Sequence, residues 1–444
     1  MARAEWSSRL GFILAAAGAT VGLGSIWKFP YVVANNGGGA FLFIYFGFML
    51  TLGLGLLMLE LAIGRYAQSG AVSAFERLGG KAWSVVGYMG VLCGGFVLSF
   101  YNVVGGWTIG YLGKALDGSV MQTDMAALGQ LFGAYVSSPA LSLSTHAIFA
   151  AATLIIVLMG VQKGIERASK LMMPALFLLM LVLIIRALTL DNAMLGLTRF
   201  FTPDWSKVNG VMLIDALGLA CFSLSVGAGC MLAYGSYLNK NARLASSALW
   251  ITGLTSLTSL LVGLMIFPAI FAIMPDIKAI PAGPGLTYMA MPIVFSHLPF
   301  GQVFAALFFF LLLFAALTSS VSLLELVVVL PMEKWGWTRQ KSALVCMSLI
   351  YALGIPATLS FGAWADLTYL GKNVFDWLDY LSSNVLLPLG GIGTALFAGW
   401  VIWPQIVQEL GLKNAVMAKA LRLLACVIAP LTIAIIMIKQ SGLI

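Results

Sequence analysis

Residues 41–59, FLFIYFGFMLTLGLGLLML, run for nineteen positions without a charged side chain. A helix needs ~20 apolar residues to cross the hydrocarbon core of a bilayer, and every backbone N–H and C=O there must be paired internally. Runs of this kind recur along the chain. Of its 444 residues, 61% are hydrophobic and 9% charged, against about a quarter charged in soluble domains. The short alternating segments of a membrane β-barrel are not the pattern here. The sequence therefore predicts an all-α integral membrane protein with spans at 9–34, 38–65, 82–115, 143–161, 166–190, 211–236, 244–274, 298–332, 340–357, 373–403 and 416–439, eleven in all.

The net charge of +8 does not point to nucleic acid, because its placement suits a lipid bilayer. With the N-terminus in the cytoplasm, sixteen of the 24 basic residues fall on that side, among them Arg9, Arg65, Lys163, Arg167, Arg339, Lys413 and Arg422, as the positive-inside bias requires. The C-terminus is then expected outside. The first apolar run continues past FILAAAGA to Trp27, so it reads as a retained span rather than a cleaved signal. Cys93, Cys221, Cys230, Cys346 and Cys426 sit inside apolar spans without paired spacing and read as small buried core residues. The longest polar connections, 116–142, 191–210 and 275–297, are expected outside, and the Pro/Gly-rich last one is a candidate lid. Residues 66–81 are expected to form a short surface helix inside.

Glycines mark two of the spans. Span one carries Gly18, Gly22 and Gly24 in AGATVGLGSIWKFP, and span six carries Gly227 and Gly229 in ACFSLSVGAG. Each glycine costs about 1 kcal/mol against alanine in a helix, and an unwound turn is tolerated in a membrane only where protein satisfies its backbone. The breaks lie five spans apart, in spans of opposite direction. Interrupted spans in matching places of two halves point to a transporter site built from inverted repeats.

At these residues the chain resembles the neurotransmitter:sodium symporters, the bacterial leucine-transporter-like members most closely. The resemblance is carried by GATVGLGSIWKFPY, NNGGGAF, LELAIGRY and FSLSVGAG, in order, and runs from Trp6 to about Trp403. It implies one polytopic domain with an inverted five-plus-five core, 1–190 and 211–403, discontinuous helices 1 and 6, and an extra helix at 416–439. It further implies sodium-coupled symport of an amino acid by alternating access. A symporter for a small amino acid, imino acid or taurine, or a non-concentrating sensor or channel on the same scaffold, is the alternative.

The resemblance also implies site residues. A substrate carboxylate is expected near Leu23 and Gly24 with the Tyr101 hydroxyl as a further donor, in a pocket of Ala19, Val97, Phe222, Ser225, Ala228, Ser319 and Leu323. Monoamine carriers hold an aspartate where this chain has Gly22, so an amino acid fits better than a monoamine. The small Ala228 leans toward bulky apolar or aromatic side chains. A second sodium site is expected from the carbonyls of Gly18, Val21 and Ala315 and the hydroxyls of Thr318 and Ser319. The first site maps to Thr20, Ser25, Ser223 and Thr255, where Ser25 and Thr255 replace the family's two asparagines, so one or two sodium ions are expected. Tyr45, Ser223 and Ser259 match a chloride site whose glutamine is here Leu219, and chloride is not favoured.

Charges within spans are expensive and mark function by default. By resemblance Lys28 and Asp379 form an outer gate, Arg3 and Glu333 an inner gate beside Trp6, and Glu60 supports the broken backbones. Gly164 and Pro174 bracket an element of span five expected to unwind. Glu325 reads as a structural hydrogen-bonding group, with a proton site as the alternative. Enzyme classes are not supported: no GxxxxGK[ST] occurs, and Trp27 and Leu232 stand where a GxGxxG would place its third glycine.

Overall fold

In the computed structural model, residues 4–277 and 280–440 are described, all of their regular elements helical. Arg3, one of the expected inner-gate residues, lies outside them. Among the described residues, nine helices are long and apolar enough to cross a membrane. They are span 2 (Gly39–Ala67), span 3 (Lys81–Leu116), span 4 (Pro139–Leu158), span 5 (Val161–Leu188), span 7 (Leu244–Ile273), span 8 (Gly301–Lys334), span 9 (Arg339–Leu359), span 10 (Val374–Val401) and span 11 (Ala415–Lys439). Span 1 is a bent pair, Arg9–Thr20 and Gly24–Asn35, meeting at 53°. The expected sixth span is two short helices, Gly210–Ser223 and Cys230–Gly235, neither of which is long enough to cross alone.

The breaks follow from local chemistry. In span 6, Ser225, Gly227 and Gly229 take left-handed φ values of 52°, 98° and 82°, which no helix continues through. Gly227 is required there, since an added Cβ would lie 2.5 Å from the Leu387 carbonyl oxygen. In span 1 the last helical bond runs from Val21 N–H to the Ala17 carbonyl, 2.8 Å, and the chain resumes at Gly24 in a different direction.

Span 8 is the most enclosed, with 72% of its apolar window buried, and span 11 the least, with 22%. The pocket-forming helices therefore pack around span 8, and span 11 lies at the rim. Small residues bring backbones together, as is usual between membrane helices. Gly235 leaves its side-chain position 2.7 Å from the Leu61 carbonyl oxygen, holding the inner half of span 6 against span 2.

The connections are more ordered than their composition suggested. The cytoplasmic helix expected within 66–81 is Ala71–Gly79. The other three long connections carry helices at Met125–Ser137, Ala193–Phe201 and Leu286–Ser296. The expected lid at 275–297 is thus partly a buried apolar helix, because Tyr288, Met291 and Val294 pack into the core.

Candidate functional site

The two breaks lie against each other, Ser225 of one reaching the Ala19 carbonyl beside the other, and Glu60 of span 2 holds one of them. Its side chain is buried, and Oε1 accepts a hydrogen bond from the Gly227 N–H at 2.6 Å. That N–H belongs to a residue with φ of 98° and has no helical carbonyl to reach, so the carboxylate supplies what the broken helix lacks.

Opposite it, span 1 turns a backbone donor inward: Leu23 N–H points at the Tyr101 hydroxyl, 3.2 Å. A Cβ at Gly22 would lie 2.8 Å from Ser319 Oγ and 3.1 Å from the Tyr101 hydroxyl. Gly22, Tyr101 and Ser319 therefore share one small polar space. Ser319 donates toward the Gly18 and Ala19 carbonyls (3.2 and 3.4 Å), and Ser225 toward the Ala19 carbonyl (3.4 Å). The Phe222 ring lies over Gly24, where any Cβ would run into it. Ala228 is buried, its carbonyl oxygen 2.8 Å from the side-chain position of Gly90 on span 3. Leu323 is buried and Val97 half-buried against the same core. No acidic side chain hydrogen-bonds within this group among the described residues.

The two candidate ion positions differ. At the second, Thr318 Oγ1 sits 3.0 Å from the Ala315 carbonyl, Ser319 Oγ approaches the Gly18 carbonyl, and Thr318 Cβ crowds the α-face of Gly18. With the Val21 carbonyl next to the break, this is an all-oxygen set on two elements, the donor chemistry a hard monovalent cation takes. At the first, the Thr20 and Thr255 hydroxyls bond each other at 2.6 Å, and Thr20 also donates to the Ala17 carbonyl at 2.8 Å. These hydroxyls satisfy one another. Ser25 and Ser223 are buried nearby, and Ser223 is engaged by Tyr45, whose hydroxyl also meets Ser259 (3.0 and 3.2 Å).

Outside the breaks a vestibule of about 440 Å³ opens, lined by Lys28, Asp215, Leu219, Phe222, Asn384 and Lys439 among others. The expected Lys28–Asp379 ion pair is not made. Lys28 Nζ lies 4.7 Å over the Phe222 ring, while Asp379 accepts from the Ser383 hydroxyl at 2.7 Å. An aromatic face is a ready partner for an ammonium group, and lysine lacks the fork that would bind a carboxylate at two points. The carboxylate that does pair with an ammonium here is Asp215, which takes Lys439 of span 11 at 2.6 Å.

The opposite side is closed. Trp6 packs on Phe12, Tyr234 and Tyr237, and Glu333 accepts from the Gly70 N–H at 2.8 Å. Glu325 is fully buried and bound by the Tyr237 hydroxyl (2.6 Å) and by Arg339, consistent with a structural ion pair. Gly164 lies in a π-helical turn, Val161–Glu166, and Pro174 inside the continuous helix Arg167–Leu188, so the expected unwinding element is wound in this structure. Two anchors escaped the sequence reading. Glu166 is buried and takes Ser7, Ser8 and Lys170, and Arg65 holds Glu409 and the Ala242 carbonyl, both at 2.5 Å. Charge within an apolar span was the available signal for Glu166.

The profile of the sodium:neurotransmitter symporter family matches residues 3–125 and 139–443. An uncharacterized sodium-dependent transporter of Bacillus subtilis is 41% identical over 396 residues, 88% of this chain and 87% of that one. One of Haemophilus influenzae is 38% identical over 92% of this chain and 91% of its own. The sodium-dependent serotonin transporter of Drosophila melanogaster is 28% identical over 83% of this chain and 66% of its own. Among solved structures, MhsT in complex with L-phenylalanine superposes with a TM-score of 0.89 at 42% identity, covering 99% of this chain and 100% of that one.

Proposed function

The chain belongs to the sodium:neurotransmitter symporter family and is a multi-pass sodium-dependent transporter with the leucine-transporter fold, and from that premise we propose that it imports amino acids with bulky apolar or aromatic side chains. The observation that carries this is the pocket at the span 1 break, where the Leu23 N–H and the Tyr101 hydroxyl converge beside Gly22 without an acidic side chain. A backbone N–H at a helix start together with a phenol hydroxyl suits a carboxylate. A cationic amine without a carboxylate finds no counter-charge there. The L-phenylalanine bound by MhsT supports the same class, and Phe222, Val97, Leu323 and the small Ala228 suit an apolar side chain.

In this reading sodium is co-substrate. It enters at the oxygen set of Gly18, Val21, Ala315, Thr318 and Ser319 and ties span 1 to span 8 while the outside is open. The substrate then settles under Phe222, and Lys28 closes over that ring. Opening of the inner side follows, with span 5 unwinding between Gly164 and Pro174 to let water reach the ion, in the rocking motion of inverted repeats. The mutual Thr20–Thr255 bond favours coupling to one ion. A tenfold sodium gradient is worth about 1.4 kcal/mol and 100 mV about 2.3 kcal/mol per charge, so one ion supports roughly 500-fold accumulation of a zwitterion. We place the protein in a bacterial cell membrane with its N-terminus in the cytoplasm.

Uptake of labelled tryptophan, leucine, alanine and glycine into proteoliposomes, at fixed membrane potential and varied sodium, tests the substrate. An equilibrium-potential assay gives the ion ratio. Sodium-driven accumulation of tryptophan or leucine at a ratio of one is expected. A ratio of two would return the first site to service, and no accumulation of any amino acid would sink the assignment.

A further inference from the structure

The segment ahead of span 1 is a strap whose successive residues face opposite neighbours. Trp6 faces span 6, donating its backbone N–H to the Tyr237 carbonyl (3.2 Å) and its indole N–H to the Tyr234 carbonyl (3.0 Å). The residues on either side face span 5. The Glu5 carbonyl accepts from the Gln162 amide at 2.7 Å. Ser7 gives Glu166 both its backbone N–H (2.8 Å) and its hydroxyl (2.6 Å), and the Ser8 hydroxyl adds a third bond at 2.8 Å. Lys170 completes the shell at 2.7 Å. Ser8 is also the N-cap of the first helix, accepting from the Gly11 N–H at 3.1 Å. One carboxylate, 1% exposed, thus gathers four donors, three of them from the strap.

Its place in the fold gives this a consequence. Glu166 is the last residue of the π-helical turn Val161–Glu166, where the inner end of span 5 meets the strap. The strap continues without a joint into the helix Arg9–Thr20, which delivers the Gly18 carbonyl to the sodium position. Gly18 is pressed there by Thr318 and lies beside Met173 of span 5. Room for the carboxylate is provided by Gly11, where any Cβ would overlap it.

We infer that Glu166 is a positioning residue for coupling: its carboxylate latches Ser7 and Ser8, and through them the inner half of span 1, onto span 5, and must let go for the cytoplasmic side to open. This rests on the symport reading above and adds to it the contact that makes inner closure and sodium binding favour each other. Linkage requires that reciprocity, so a weaker latch lowers apparent sodium affinity although Glu166 touches no ion.

The test is amide hydrogen exchange on the full chain in nanodiscs, in sodium and in potassium chloride, for wild type, Glu166→Ala, Ser7→Ala and the double variant, Ser8 being left intact because it also caps the first helix. Glu166→Gln keeps the side-chain volume and serves as the folding-neutral companion. Exchange in 4–12 and 161–172 is expected to rise about tenfold together in Glu166→Ala, with spans 4 and 8 unchanged. The sodium concentration giving half-maximal protection is expected to rise by about the same factor, as a population shift requires. The double variant should be no worse than Glu166→Ala alone, and Glu166→Gln should move the same segments by less. Additive effects of the two sets, exchange rising across spans 4 and 8, or unchanged sodium dependence would overturn the latch. The readout needs no substrate, so failure of wild-type amino-acid uptake would sink the transport assignment and leave the latch result standing.

Discussion

Replacing Glu60 tests how the broken span 6 is held. Gly227, at φ 98°, cannot recover a helical partner, and its N–H is given to Glu60 Oε1 at 2.6 Å in a fully buried position. A hydrogen bond to a charged group contributes about 1.5–3 kcal/mol, and leaving a buried donor orphaned costs about 1–3 kcal/mol. Glu60→Gln keeps an acceptor oxygen of nearly the same reach, at roughly half the strength of a charge-assisted bond, so a loss of about 1 kcal/mol is expected. Glu60→Ala removes the acceptor and adds a cavity, for a total of about 3–5 kcal/mol. Thermal unfolding in one detergent, with and without sodium, should rank wild type above Gln above Ala, with the drop for Ala at least twice that for Gln. Apparent sodium affinity should fall in the same order, because Ser225 of the same break bonds the Ala19 carbonyl beside the ion position. Equal losses for Gln and Ala would refute the acceptor role. A Gln variant as stable as wild type would refute the charge assistance.

Gly22→Ala puts a methyl group 2.8 Å from Ser319 Oγ and 3.1 Å from the Tyr101 hydroxyl; uptake should fall more than tenfold while the melting temperature holds, and retained uptake would move the substrate elsewhere. Lys28→Ala removes a cation held 4.7 Å over Phe222, a contact of about 0.5–2 kcal/mol. Release of bound substrate to the outside should quicken roughly 2- to 30-fold, with Lys28→Arg near wild type, as read by washout of labelled substrate. Gly11→Ala should gain about 1 kcal/mol by helix propensity alone, yet its Cβ overlaps the Glu166 carboxylate. A rise in sodium half-saturation in wild type, absent in the Glu166→Ala background, is the expected pattern in sodium-dependent exchange.

Most of the scaffold was legible because bilayer spans are long, continuous signals. The expected 82–115 and 244–274 are the observed Lys81–Leu116 and Leu244–Ile273, and the helices break at both glycine-marked stretches. The count of eleven was less legible, since the sixth span is two short helices that no length criterion joins. The apolar helix Leu286–Ser296 was hidden by the Pro and Gly around it. Side-chain partners were least legible. Lys28 has an aromatic ring rather than Asp379 beside it, and nothing in the local sequence distinguishes these. Glu166 finds Ser7 across 159 positions, and Arg65 finds Glu409 across 344. Such pairs follow from how rigid helices dock, and carry no periodicity along the chain.

The vestibule wall on one side belongs to Ile433, Ile436 and Lys439 of span 11. Without span 11 the vestibule would lack that flank and Asp215 its ammonium partner. Docking of span 11 closes the flank and neutralises that charge in one event. Span 11 thus ties the vestibule's shape to its charge, because the residues that wall it also carry the partner of Asp215.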